Sequence, residues 1–171
     1  YELIPEDANW LTKNGIAEVV VQSDNMKKYY YYAEKLIGTG KAYVCTCSAE
    51  KFKSLIEDQK ACPCRELPRE EQLERWQKML AQYKEGDAVL RIKTEINNKN
   101  PAMRDWPAMR IKEASHPKKG NEYRVWPLMN FSVVVDDIES GMTHIIRGKD
   151  HADNAKRQEY VYKYLNKPVP E

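Results

Sequence analysis

No apolar run in this 171-residue chain approaches the roughly 20 residues that a membrane-spanning helix needs. The start carries no signal-like apolar segment. The net charge is only +2, which excludes a global basic field; any nucleic-acid contact has to be local. There is no Gly-rich phosphate loop, no nucleophile beside a base and no pair of acids at a convincing spacing. Internal repeats and low-complexity tracts are also missing. With 42% hydrophobic and 32% charged residues, the composition is that of a globular chain and not of a disordered one. Its length suits one domain, or one domain with a sizeable insertion. The chain opens on Tyr1 without a methionine and stops on Pro168-Val169-Pro170-Glu171, so it is expected to be a piece of a longer protein.

Cysteine is scarce too, and its placement is the most informative feature present. All four thiols fall in one stretch: Cys45-Thr46-Cys47, fourteen residues, then Cys62-Pro63-Cys64. Two thiols two residues apart share one side of an extended segment. Two such pairs brought together offer four thiolates to one tetrahedral ion, and zinc suits that ligand set best. The Cys-x-Cys spacing is tighter than the usual Cys-x2-4-Cys of structural zinc sites. Two disulfides, or four unrelated buried thiols, are the alternatives. Disulfides belong mainly to small secreted chains, and scattered thiols would not be expected to fall as two matched pairs. His144 and His151 are too far from them in sequence to suggest a catalytic metal site.

Read in order, the chain begins with a polar segment to Asn14 anchored by Trp10 and Leu11. Ile16 to Val21 is apolar and β-branched and reads as a short strand. Ser23-Asp24 reads as a helix N-cap, and the helix ends near Gly38 and Gly40. Its buried stripe is Met26, Tyr29 or Tyr30, Ala33, Leu36 and Ile37. The tyrosines at 29 to 32 could stack bases, but tyrosine on a half-buried helix is the commoner explanation. Lys41 to Val44 is a strand, Ser48 caps a helix to Glu57, and Pro68 opens another with Leu73, Trp76, Met79, Leu80 and Tyr83 at helical spacing. Leu90, Ile92, Thr94 and Ile96 alternate with Arg91, Lys93 and Glu95, which predicts a strand with one wet face. A loop follows over 97 to 107, then a short strand to Lys112 and a polar turn over 115 to 121. Phe131 to Ile138 fits helix or buried strand, and Thr143 to Ile146 fits a buried strand. Asp153 or Asn154 is placed to cap the last helix, whose stripe is Tyr160, Val161, Tyr164 and Leu165.

Arg147-Gly148-Lys149-Asp150-His151 joins that last strand to that last helix. Ligands of α/β sheets sit at the carboxyl ends of strands, and helix N-termini favour anions. Arg147 would suit a bidentate pair with a carboxylate or phosphate. A strand-to-helix loop with solvated charges is the plainer alternative.

Taken together, several motifs carry a resemblance. They are the two thiol pairs running into Arg65-Glu66-Leu67-Pro68; Asn100-Pro101-Ala102-Met103-Arg104-Asp105-Trp106-Pro107; and His116-Pro117 through Gly120. Tyr123, Trp126-Pro127, Asp136-Asp137 and Gly141-Met142-Thr143-His144-Ile145-Ile146-Arg147-Gly148 complete them. Over essentially its whole length the chain resembles a class I glutamyl-tRNA synthetase of the archaeal type.

The resemblance implies an α/β fold: part of a class I Rossmann-like domain with a parallel sheet, interrupted by an α+β, zinc-containing insertion. Residues 1–40 would end the first half of the catalytic domain, 41–124 would be the inserted acceptor-stem-binding region, and 125–171 would start the second half. It implies ATP-dependent activation of glutamate and transfer to tRNA, with ATP, Mg and a structural zinc as cofactors. The zinc would sit on Cys45, Cys47, Cys62 and Cys64. Arg147 matches the arginine that meets the substrate side-chain carboxylate, and Asp153 matches a position used against the acceptor stem. Met129 and Val133 match further substrate-lining positions; at 129 the family commonly has a tyrosine, and a thioether cannot donate its hydrogen bond. The H-I-G-H and K-M-S-K-S signatures are absent and are expected outside these residues, so no catalytic residue is assigned here and this piece alone is expected to be inactive. A monomeric cytoplasmic enzyme without membrane contact is the implied setting. A stand-alone zinc-containing RNA-binding module and a glutaminyl-tRNA synthetase piece are the alternatives; Arg147 argues against the second.

Overall fold

The computed structural model describes residues 3–171. Six helices and four strands follow one another as α1 (Leu3–Leu11), α2 (Met26–Gly38), β1 (Ala42–Cys45), α3 (Ala49–Glu57), α4 (Arg69–Ala81), β2 (Val89–Ile92), β3 (Pro107–Ile111), β4 (Val125–Pro127), α5 (Met129–Ser140) and α6 (Ala152–Tyr164). The strands form one sheet in the order β1-β2-β3-β4, and each neighbouring pair is antiparallel. Helix and sheet are mixed as expected, but the parallel sheet is corrected: all three strand pairs of this sheet are antiparallel. Strand-forming sequence needs a neighbouring edge for its backbone groups. Ile16 to Val21, expected as a strand, has no strand partner among the described residues, and Val19 and Val20 are about half exposed (53% and 49%). Thr143 to Ile146 is extended but is no strand; its backbone bonds run to Glu171, from Ile145 N to Glu171 O at 2.8 Å and from Glu171 N to Thr143 O at 2.9 Å.

The main core lies between the sheet and helices α2, α4, α5 and α6. Trp76, Tyr29, Phe131, Leu36, Leu90 and Met109 are among its fully buried side chains. The four tyrosines of α2 divide by direction, as helical periodicity requires. Tyr29 is buried and donates to Asp136 at 2.7 Å, Tyr32 donates to Glu139 at 2.7 Å, and Tyr31 faces out. Tyr30 sets its edge against Trp76 and Tyr123 at 5.7 Å each. The expected stripe is therefore present, with Tyr32 added to it.

Several terminal details differ. Ser23-Asp24 does not cap α2; a 3-10 turn over Gln22–Asn25 precedes it and Asn25 holds the N-cap position. Asp24 instead pairs with Lys119 at 2.7 Å. Ser48 does cap α3, accepting from Lys51 N at 3.2 Å. Neither Asp153 nor Asn154 caps α6, because a 3-10 turn (Lys149–His151) leads in and moves the N-cap position to His151. α5 resolves the ambiguity over 131–138 as helix, closed by Gly141 in the left-handed region (φ 65°), where glycine is unstrained.

β2 ends at Ile92, and its wet face is not fully wet. Arg91 is buried, its guanidinium 3.3 Å above the Phe52 ring centroid. That stacking offsets the loss of water around a charge. α1 contributes no buried residue, and Leu3, Ile4, Trp10 and Leu11 are exposed.

Candidate functional site

Two places gather chemistry. The first is the thiol cluster. Cys45 ends β1, while Cys62 precedes and Cys64 lies within a 3-10 turn (Pro63–Glu66), so the strand end and the turn face each other. The four sulfurs lie within 4.8 Å of one another. Cys45 Sγ and Cys62 Sγ are 3.8 Å apart, and Cys47 Sγ and Cys64 Sγ are 3.9 Å apart. A tetrahedron with metal–sulfur bonds of ~2.3 Å has edges of ~3.8 Å, so these separations fit one zinc ion. They are far beyond the ~2.05 Å of a disulfide, and all four thiols are free. The disulfide alternative is overturned on that ground.

The surroundings suit thiolates. Arg75 Nη1 donates to Cys64 Sγ at 3.4 Å and to Thr46 Oγ1 at 3.2 Å. The hydrogen bond with Cys62 holds the Cys45 thiol below its ordinary pKa, helped by the nearby Arg91 charge. The same bond, and burial, push Cys62 well up. Burial raises Cys47. Burial also opposes ionisation of Cys64, but Thr46 and Arg75 bring it below the ordinary value. Crowded thiols cannot all ionise without a cation among them, and a divalent ion removes that conflict.

Beneath the cluster lies Asp105, wholly buried. Its Oδ2 accepts from Tyr43 Oη and from Arg65 Nε, both at 2.9 Å, and its Oδ1 accepts from Thr94 N at 2.7 Å. Its own N–H donates to Thr94 Oγ1 at 2.7 Å. Tyr43 also accepts from the Cys62 thiol at 3.6 Å. Arg104 is structural: Nη1 donates to Ile56 O at the end of α3 and Nε donates to Asn98 O, both at 2.7 Å. The sequence placed both residues in a loop without a role; they tie that loop to the thiol-bearing segment.

The second place is a cleft of about 340 Å³ at the start of α6, lined among others by Arg147, Lys149, Gln158 and Tyr162. Arg147 is only partly exposed, lies 3.9 Å from Asp137 Oδ2, and donates through Nη1 to Gln158 Oε1. Burial raises the Asp137 carboxyl above its ordinary value, against the pull of the Tyr162 hydroxyl, which donates to it at 3.0 Å, and of Arg147. A carboxylate or phosphate entering this cleft would meet a guanidinium at its wall. Met129 and Val133 do not line it: Met129 opens α5 and is half exposed, and Val133 is half-buried further along α5. Asp153 lies on the exposed side of α6, accepting from Asn100 Nδ2 at 3.2 Å. The sequence reading missed Gln158 and Asn130, whose polar side chains on two helices meet beside Arg147 at 3.0 Å. A glutamine inside the buried stripe of α6 was the available signal.

The family described as tRNA synthetases class I (E and Q), catalytic domain, matches residues 1–171. The chain is 56% identical over 172 residues to the glutamate--tRNA ligase of Thermococcus kodakarensis and 55% identical over 174 residues to that of Pyrococcus abyssi. Each alignment covers 99% of this chain and 30% of the relative. The glutamate--tRNA ligase of Methanothermobacter thermautotrophicus is 53% identical over 173 residues, covering 100% of this chain and 31% of that protein. The chain thus spans about a third of the length of the curated relatives it matches.

Proposed function

Because the chain belongs to the class I tRNA synthetases of the E and Q type, catalytic domain, we propose that it is the central part of a glutamate–tRNA ligase. The whole protein would activate glutamate with ATP and transfer it to the acceptor end of a tRNA. The observation that carries the reading is Arg147, a partly buried guanidinium on the wall of a cleft large enough for an amino acid. A side-chain carboxylate loses water on entering such a cleft, and an unpaired one there is costly. A guanidinium returns two parallel charge-assisted hydrogen bonds.

The 41–124 segment is read as the acceptor-stem-binding insertion and 1–40 and 125–171 as the flanking catalytic halves. Asp153 would face the acceptor stem; Met129 and Val133, which lie on α5 outside the Arg147 cleft, would meet the substrate only away from its side-chain carboxylate. Cys45, Cys47, Cys62 and Cys64 would hold a structural zinc, which would fix the thiol-bearing turn against β1. ATP and Mg would serve the rest of the site in a monomeric, cytoplasmic enzyme.

In this reading Arg147 binds and orients the substrate side chain, while Gln158 accepts from its guanidinium and Asp137, which the Tyr162 hydroxyl engages, stands 3.9 Å from it. Glutamate-dependent pyrophosphate exchange by the full-length protein tests it. Arg147→Ala should lose roughly a hundred- to ten-thousandfold in kcat/KM for glutamate, with the KM for ATP nearly unchanged. A loss below about threefold, as at an exposed surface position, would remove Arg147 from the pocket.

A further inference from the structure

We propose that Gln158 is a positioning residue for substrate choice: a buried neutral acceptor that aims Arg147 into the cleft and leaves its positive charge uncancelled. The proposal rests on the reading of Arg147 as the partner of the substrate's side-chain carboxylate.

Gln158 lies within α6 at 2% exposure, so both ends of its amide need protein partners. Nε2 donates to Asn130 Oδ1 at 3.0 Å, and Asn130 Nδ2 donates to Asn154 Oδ1 at 3.1 Å. Asn154 Oδ1 also accepts from Arg157 Nη1 at 3.4 Å, and Asn154 Nδ2 reaches His151 Nδ1 at 3.0 Å. Amide orientations follow from such a chain when its ends are unambiguous. Here both ends are arginines, which only donate. Arg157 requires an oxygen on Asn154, which sets Asn130 and then Gln158, and the Gln158 oxygen is left facing outward. Arg147 requires that same oxygen from the other end. The two requirements agree, so the chain has one hydrogen-bond direction.

The chemical consequence concerns charge. A carboxylate at position 158 would also accept from Arg147, but it would neutralise the guanidinium and compete with an incoming anion. An amide accepts without doing so. Glu159 and Glu171 also line the cleft, but among the described residues Asp137 is the carboxylate within 4 Å of Arg147, at 3.9 Å, and it is engaged by the Tyr162 hydroxyl. Arg65 in the interior offers the contrast: there the Asp105 and Glu66 carboxylates and the Thr94 carbonyl take all three guanidinium nitrogens, and that arginine serves structure.

The test uses the full-length protein with Gln158→Glu, Gln158→Met and Arg147→Ala, measured by pyrophosphate exchange with glutamate and with glutamine. Gln158→Glu should lower kcat/KM for glutamate by about a hundredfold, mostly through KM, with far less effect on glutamine. Gln158→Met keeps the volume and removes the acceptor; it should raise the KM for glutamate about tenfold and leave the KM for ATP unchanged. If Gln158→Glu does not fold, Gln158→Met alone decides. Equal losses on both amino acids, or no change in the KM for glutamate, while Arg147→Ala still collapses the preference, would overturn the role of Gln158 and leave that of Arg147 standing. An intact glutamate preference in Arg147→Ala would instead overturn the reading of the pocket, and this proposal with it.

Discussion

The hydroxyl of Tyr43 and the carboxylate of Asp105 meet inside the protein at 2.9 Å, joining β1 to the loop before β3 across 62 positions of sequence. The same hydroxyl accepts from Cys62 at 3.6 Å, so the thiol cluster and the buried acid share one tyrosine. Burial and the nearby acid push the Tyr43 pKa far up, so the phenol remains a donor at every physiological pH. The thiol-bearing turn is thereby linked through Tyr43 to the loop before β3.

Removing the acid should therefore unfasten it. Asp105→Ala leaves Arg65 without its buried partner and Thr94 N without an acceptor. Breaking a buried charge pair from one side costs about 3–5 kcal/mol. For a chain of this size that lowers the melting temperature by on the order of 10 °C. Thermal melts of the variant and the wild type measure it; a drop under about 2 °C would mean that water replaces the carboxylate.

Metal content gives a second expectation. The purified protein should carry one zinc per chain, and Cys62→Ser or a strong chelator should release it. Structural zinc contributes on the order of 10 kcal/mol in small metal-dependent units. Here the larger core softens the loss, so hydrogen exchange should rise first over residues 44 to 66. Because thiols must deprotonate to bind, release should become easier as pH falls. Elemental analysis without zinc, together with four titratable thiols, would remove the metal from the account.

Asp137 makes a prediction with a definite sign. Burial raises its carboxyl above the ordinary value. The folded state then binds the proton more tightly than the unfolded state, so this group favours folding at low pH. Its contribution declines as pH climbs from the ordinary carboxylate value through the raised one. Asp137→Asn should therefore gain stability relative to wild type at pH 7 and little or none at pH 3. Denaturant unfolding at both values checks this; a larger gain at the acid end contradicts it.

The isolated 171 residues should not charge tRNA. The chain contains neither the H-I-G-H nor the K-M-S-K-S signature. Incubation with ATP, glutamate and tRNA should give no acyl product. Measurable pyrophosphate exchange would show that the chemistry lies within these residues after all.

The local features of the sequence were decisive wherever one element could satisfy itself. The stripe of α2, the Ser48 cap and the apolar spacing of α4 depend only on 3.6-residue periodicity and on nearby backbone groups. The matched thiol pairs were legible for the same reason, since a two-residue spacing already places two ligands on one side. Three outcomes needed partners far away in sequence. Ile16 to Val21 and Thr143 to Ile146 have strand composition, but a strand exists only where another edge runs along it; β1 to β4 pair with one another, and Thr143 to Ile146 meets the backbone of Glu171 alone. Arg91 alternates as a wet residue, yet the Phe52 ring arrives from α3 to cover it. Gln158 looks like a stray amide in a helix until α5 brings Asn130 beside it and the chain's return brings Arg147. Periodicity set which faces exist; the packing of distant elements decided which polar groups meet there, because a buried donor or acceptor takes whatever partner the fold delivers.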